Sequence, residues 1–252
     1  MVGSVRGCFA RERMTHQNRQ RHCPPRKTMN VLALETSCRN ASVAVLENDR
    51  LLSHCEFGSS RRTAQAFALE IAGQLSSVGW GPGDVQLIVV SQGPGSFTGL
   101  RIGVTAAKTL AYATGAPVLG VNTQQVIAYQ AEGDWAEITV VGDAGRQQLF
   151  VDCFRRIADR LEPACSPGIV DISAWHQSLS DGQWVTGPGL SQRVDQLPAG
   201  VRSTPSADWL PRAATLGRIG YLEFQAGRRD DLWNLKPIYY RPSAAEEKLA
   251  QR

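Results

Sequence analysis

The stretch Leu87–Gly115, LIVVSQGPGSFTGLRIGVTAAKTLAYATG, constrains what this chain can fold into more than any other. It opens on Leu87-Ile88-Val89-Val90, the continuous aliphatic run of a strand covered on both faces. Gly93, Pro94, Gly95 and Gly99 then demand a tight turn, because glycine tolerates positive φ and close backbone approach. Ser96 and Thr98 are candidate caps for the small-residue helix that follows. Strand, glycine turn and helix in that order aim backbone N–H groups and a helix dipole at one spot, a seat for an anion or phosphate. The spacing is not that of the dinucleotide fingerprint, and no Lys-Ser/Thr pair follows the last glycine as in a P-loop. On spacing alone a ligand-free tight connection is an equal alternative.

Charge is distributed unevenly. Residues 1–28 hold seven basic residues against Glu12, so residues 29–252 sum to −2 although the whole chain carries +4. The body therefore offers no global electrostatic case for nucleic acid. Residues 1–28 lack the apolar centre of a secretory signal, and a disordered basic leader or an extension upstream of a true start at Met29 is expected. Six cysteines are scattered without a CxxC pair, which favours free thiols in a reducing cytoplasm over a zinc knuckle or a disulfide framework. No apolar run approaches the roughly 20 residues of a membrane span.

From Met29, NVLALETS, ASVAVLE and RLLSHCE read as three short strands in a meander. Phe67, Ile71, Leu75 and Val78 mark one face of a helix over 62–78. The glycine unit, a strand at 117–120 and a helix at 123–131 follow. Further on, 137–141 and 147–154 read as a hairpin around Asp143-Ala144-Gly145-Arg146, 173–179 as a short helix and 183–186 as a strand. A helix over 213–225 carries Leu216, Ile219, Tyr221 and Phe224. The order strand-strand-strand-helix-strand-helix-strand-helix resembles the ribonuclease-H-like module of the actin, sugar-kinase and Hsp70 superfamily. That likeness implies an α/β chain of two tandem modules, a first at 29–130 and a degenerate second at 131–241, with a frayed tail at 242–252. It also implies that the first hairpin turn, Glu35-Thr36-Ser37, faces nucleotide phosphates; the plain alternative is a hydrogen-bonded turn.

Four segments carry a narrower resemblance: VLALETSCRNASVAVLE, SQGPGSFTGLRIGVTAAKTLA, GDAGRQQLFVDCF and LKPIYYR. Together they resemble the TsaB (YeaZ) family, bacterial proteins for making threonylcarbamoyladenosine in transfer RNA. The resemblance spans about residues 29–241 and implies a cytoplasmic, non-catalytic partner of the related catalytic subunit TsaD. A small ATPase, TsaE, joins that pair. It implies contact with tRNA only through the complex, ATP at the level of the complex rather than a cofactor bound here, and a homodimer as one form of the free chain. The TsaD-like HxxxH metal pair falls at Thr123 and Ile127, neither of them a ligand, so no metal is expected. The turn Glu35-Thr36-Ser37-Cys38 is closer to the TsaD form, and Arg62-Thr63-Ala64-Gln65 replaces the usual His-Ser-Glu of TsaB.

Site expectations follow on two levels. Thr36, Ser37, Gly93, Gly95 and Ser96 form the phosphate- or nucleotide-facing turn if there is one. Phe97, Thr98, Gly99, Arg101, Gly103, Ala106, Ala107 and Ala111 are candidates for the interface with TsaD, their small side chains admitting a partner helix. The alternative for the alanines is packing against the chain's own sheet. No residue is assigned as acid, base or nucleophile. A stand-alone ATPase or phosphotransferase is the second functional reading, with Asp143 the one obvious acidic residue at the second hairpin. A peptidase lacks a nucleophile elbow, since Ser96 is preceded directly by Gly95. Direct RNA binding has only the pairs Arg61–Arg62 and Arg155–Arg156 to offer, both read more plainly as solvated charge.

Overall fold

The computed structural model describes residues 28–58, 64–158 and 160–240. The expectations for the leader through residue 27, for Arg61, Arg62 and Thr63, and for the tail at 242–252 lie outside the described residues.

The first sheet comprises β1 (Asn30–Glu35), β2 (Ala41–Glu47), β3 (Arg50–Phe57), β4 (Leu87–Gly93) and β5 (Val118–Asn122), in the order β3-β2-β1-β4-β5. The meander is antiparallel, and β4 and β5 continue it in parallel. Period-2 alternation sends the side chains into two cores. On one face Leu32, Leu34, Val43, Val45, Ile88 and Val90 pack under α1 (Ala64–Ser77) and α2 (Phe97–Thr114). On the other, Val31, Ala33, Leu46, Leu87, Val89 and Leu119 pack under α3 (Thr123–Gln130) and α5 (Ala213–Gln225). The helix face expected from sequence is the one α1 buries, at Phe67, Ile71 and Leu75.

The second sheet comprises β6 (Glu137–Gly145), β7 (Gln148–Ile157), β8 (Arg160–Pro163), β10 (Trp184–Thr186) and β11 (Arg202–Ser203), in the order β8-β7-β6-β10-β11; β9 (Gly168–Asp171) also pairs with β7. Both sheets have the same plan, three antiparallel strands continued by two parallel ones. The two-module ribonuclease-H-like α/β fold expected from sequence is therefore present, and the second copy is visible in strand order. Its helical layer is thin: α4 (Ile172–Ser178) and short 3-10 turns take the places of α1 and α2. The hairpin turn falls at Arg146-Gln147, both at positive φ, slightly later than the Asp143–Arg146 reading. α3 is shared, with Val126 in the core under α5 on the first sheet and Ile127 and Ala128 against Trp135 and against Ile138 and Val140 of the second sheet.

The segment expected to complete the second module returns to the first. After α5 on the first sheet, residues 228–240 run back along it as a strap. Arg228 donates to Gly120 O at 2.5 Å, and Asp230 Oδ2 accepts from Gly120 N at 2.9 Å, which covers the exposed edge of β5. Leu235 enters the first core, and Ile238 N donates to Gln92 O at 2.7 Å.

Candidate functional site

Two places collect the residues singled out in sequence: the cleft between the modules and the outer layer formed by α1 and α2.

The cleft holds a cavity of about 320 Å³ whose walls include Ser37, Cys38, Gly95, Ser96, Gln124 and Asp143. The β1–β2 turn at its edge is tied down by its own neighbours. Ser37 N and Oγ both donate to Glu35 Oε1, at 2.6 and 2.5 Å, and Thr36 N donates to Ser91 Oγ at 3.2 Å. Ser96 N donates to Ser37 O at 2.6 Å. The glycines explain themselves the same way. A side chain at Gly95 would run into Ser37, and at Gly99 or Gly103 into Thr36. Gly93, at φ +114, lies against the carbonyl of Ile238 in the strap. The glycine turn is thus fitted to the Thr36-Ser37 backbone, and Ser37, Gly95 and Ser96 remain in the cavity wall. Ser96 is the N-cap of α2, its Oγ accepting from Gly99 N at 3.3 Å; Thr98 lies within the helix.

Opposite that turn, Asn122 Oδ1 caps α3 by accepting from Gln124 N and Gln125 N, at 2.7 and 3.3 Å. Thr123 and Ile127 are both buried, and no group of three or more His, Cys, Asp or Glu residues able to hold a metal occurs among the described residues. Asp143 is exposed and accepts from Gly145 N at 2.8 Å within its own hairpin.

Sequence reasoning missed a buried acid. Asp152 on β7 is 3 % exposed, accepts from Cys153 N at 3.0 Å and lies 3.5 Å from Asn122 Nδ2. Burial pushes its carboxyl up to about 6, against the downward pull of bonds from Cys153, Asn122 and Tyr240. The signal was available: Asp152 stands in the same alternating row of β7 as Phe150 and Phe154, one charge in an inward-facing apolar series.

The expected interface residues divide between two faces of α2. Gly99, Gly103, Ala107 and Ala111 are buried in the chain's own fold, with Ala107 completely inaccessible. Arg101 and Ala106 face the other way. With Ile102, Thr105 and Leu110 of α2 and Ala64, Ala68 and Ile71 of α1 they line an apolar groove of about 450 Å³. Leu69 is two-thirds exposed on α1. At the N-terminal end of α2, Phe97 stacks on Tyr239 of the strap with centroids 4.5 Å apart, and Arg101 lies 4.0 Å over Phe97 while its Nε donates to Tyr239 Oη at 3.3 Å. Of the basic pairs, Arg155 bridges to Glu137 at 3.0 Å and Arg156 lies 3.7 Å over Trp135.

Tandem ribonuclease-H-like modules on either side of a cleft are an actin-like fold. Residues 58–187, half of the chain, match the family described as tRNA N6-adenosine threonylcarbamoyltransferase, TsaD. The chain is 27% identical over 234 residues to the tRNA threonylcarbamoyladenosine biosynthesis protein TsaB of Escherichia coli K12, covering 88% of this chain and 98% of that one. It is 29% identical to TsaB of Bacillus subtilis 168, covering 61% of this chain and 67% of that one. The solved structure of YeaZ from Pseudomonas aeruginosa superposes with a TM-score of 0.71 at 23% identity, covering 84% of this chain and 99% of that one. The chain belongs to this threonylcarbamoyltransferase family, on its TsaB (YeaZ) side.

Proposed function

We propose that this chain serves tRNA threonylcarbamoyladenosine biosynthesis as an accessory subunit that pairs with a TsaD-type transferase and contributes no catalytic group. The observation that carries this reading is the apolar groove between α1 and α2, which no described residue fills. Helices that cover a sheet on one side and leave Ile102, Ala106 and Leu110 accessible on the other present area that association would bury. The occupant that fits is the equivalent helix pair of the transferase. The TsaD family match runs through both α1 and α2, so the partner would bring a similar surface in pseudo-symmetric array.

Pairing would act by favouring the competent arrangement of the transferase. In this reading tRNA and a TsaE-type ATPase meet the assembled complex, ATP belongs to the complex, and a homodimer through the same groove is the state of the free chain. No helix of the described residues is long and apolar enough to cross a membrane, which is consistent with a cytoplasmic place. The second reading, a stand-alone ATPase, is disfavoured by the Ser96 amide being bonded to Ser37 and by the exposed, hairpin-bound state of Asp143.

The test is reconstitution of threonylcarbamoyl transfer to tRNA with the cognate transferase, ATPase and donor-forming enzyme, with and without this chain. Dependence on this chain, together with no nucleotide turnover when it is alone, is the expected result. Equal rates without it overturn the proposal.

A further inference from the structure

Near the N-terminal end of α2 stands a cation that the strap holds in place. Arg101 is exposed, yet its guanidinium lies 4.0 Å over the Phe97 ring and its Nε donates to Tyr239 Oη at 3.3 Å. Phe97 is in turn stacked on Tyr239, with centroids 4.5 Å apart. Tyr239 follows a tethered stretch of the strap: Ile238 N donates to Gln92 O at 2.7 Å, and Lys236 O accepts from Gln92 Nε2 at 3.0 Å. A side chain rich in rotamers is therefore set in one place by a tyrosine 138 positions further along the chain. We propose that Arg101 is the charged anchor of the α1–α2 groove, positioned by Tyr239 to take a carboxylate from an apolar helix face of the transferase.

The chemistry of the groove sets that of its occupant. Of the described residues lining it, Arg101 alone is charged. Ile71, Ile102, Ala106 and Leu110 give it an apolar wall, and Thr105 and Thr109 continue the Arg101 row along α2 at successive turns. An occupant of this wall brings apolar residues to it, and complementarity asks for one negative charge near the N-terminal end of α2. That end favours an anion for a second reason. The first turn of α2 holds no acidic residue, so nothing within the helix offsets its dipole there. Tyr239 takes one of the guanidinium N–H donors, and the fork at Nη1 and Nη2 matches the two oxygens of a carboxylate. Because Phe97 and Tyr239 already hold that fork, little rotamer freedom is left to lose on association. The charge is exposed and screened by salt, so it contributes to steering and register more than to total affinity.

This inference rests on the pairing reading, and the experiment separates the two. Affinity for the cognate transferase is measured by calorimetry at about 50 and about 500 mM salt, for the natural chain, Arg101→Gln and Tyr239→Phe. Arg101→Gln is expected to bind about tenfold more weakly at low salt and within about twofold of the natural chain at high salt. Tyr239→Phe keeps the stack and loses the hydrogen bond, and a low-salt deficit of about threefold is expected. The partner carboxylate is located by changing each Asp and Glu of the transferase's equivalent helix pair to Asn or Gln. One such change is expected to reproduce the low-salt deficit and to add nothing to it when combined with Arg101→Gln. A natural chain that does not bind the transferase overturns the pairing reading and the anchor with it. Equal binding by Arg101→Gln, a deficit identical at both salt concentrations, or no transferase carboxylate coupled to Arg101 overturns the anchor alone. Tyr239→Phe binding as tightly as the natural chain overturns the positioning by the strap.

Discussion

The two faces of α2 are made from nearly the same residues and do opposite work. Ala106 and Ala107 are neighbours in sequence; Ala107 is sealed in the first core, while Ala106 lines the open groove. Along the inner face Gly99 and Gly103 shrink the helix so that the Thr36-Ser37 turn can lie directly on it. Along the outer face small residues leave a channel between α2 and α1 that no described residue fills. Smallness alone therefore does not identify an interface. What separates the faces is which of them already has a partner.

Substitutions that treat the two faces alike should break apart in their effects. Ala107→Glu puts a carboxylate into a site with no access to water, a cost of several kcal/mol against a total stability of about 5–15 kcal/mol. Loss of the cooperative thermal transition by circular dichroism is expected. Gly99→Ala, whose added carbon meets the Thr36 carbonyl, is expected to cost about 1–3 kcal/mol, read as a lowered urea midpoint at unchanged slope.

The contrast between modules gives a pH-dependent counterpart. Asp152 titrates near 6 when folded, above its value of 3.8 when unfolded, so the native state binds the extra proton between those values. Its contribution is favourable at and below about pH 4 and is lost as pH rises through 6. Asp152→Asn is accordingly expected to raise stability at pH 7.5 by about 2–3 kcal/mol and to leave it unchanged near pH 4, as measured by denaturant unfolding at both pH values. Ser96→Ala removes the α2 cap and is expected to cost about 1 kcal/mol. Ala106→Glu, at a half-buried position on the groove wall, is expected to cost the chain's stability about 1 kcal/mol and to leave it folded.

Much of the first module is legible in the sequence because its signals are local. NVLALE and ASVAVLE alternate into two cores, Leu87–Val90 reads as a buried run, and Phe67, Ile71 and Leu75 mark their helix. The second module is less legible. β8 and β9 are four-residue strands in a stretch broken by Pro163 and Pro167, and they exist because one long strand, β7, offers each of them half its length. The return of α5 to the first sheet is set by contacts such as Gly217 against Leu46 and Gly220 against Val89, more than 100 residues away in sequence. The candidate site divides similarly. Glycines fitted to a backbone and glycines fitted to a phosphate look the same in sequence; the close approach of Gly95 to Ser37 and of Gly99 to Thr36 is visible only in the structure.

The most direct measurement of the central claim is the affinity of this chain for its cognate TsaD-type transferase, by calorimetry or sedimentation, for the natural chain and for Ala106→Glu. A folded Ala106→Glu that binds at least 100-fold more weakly is the predicted result. Binding unchanged by that substitution would contradict the groove as the pairing surface and return the outer face of α2 to plain solvent.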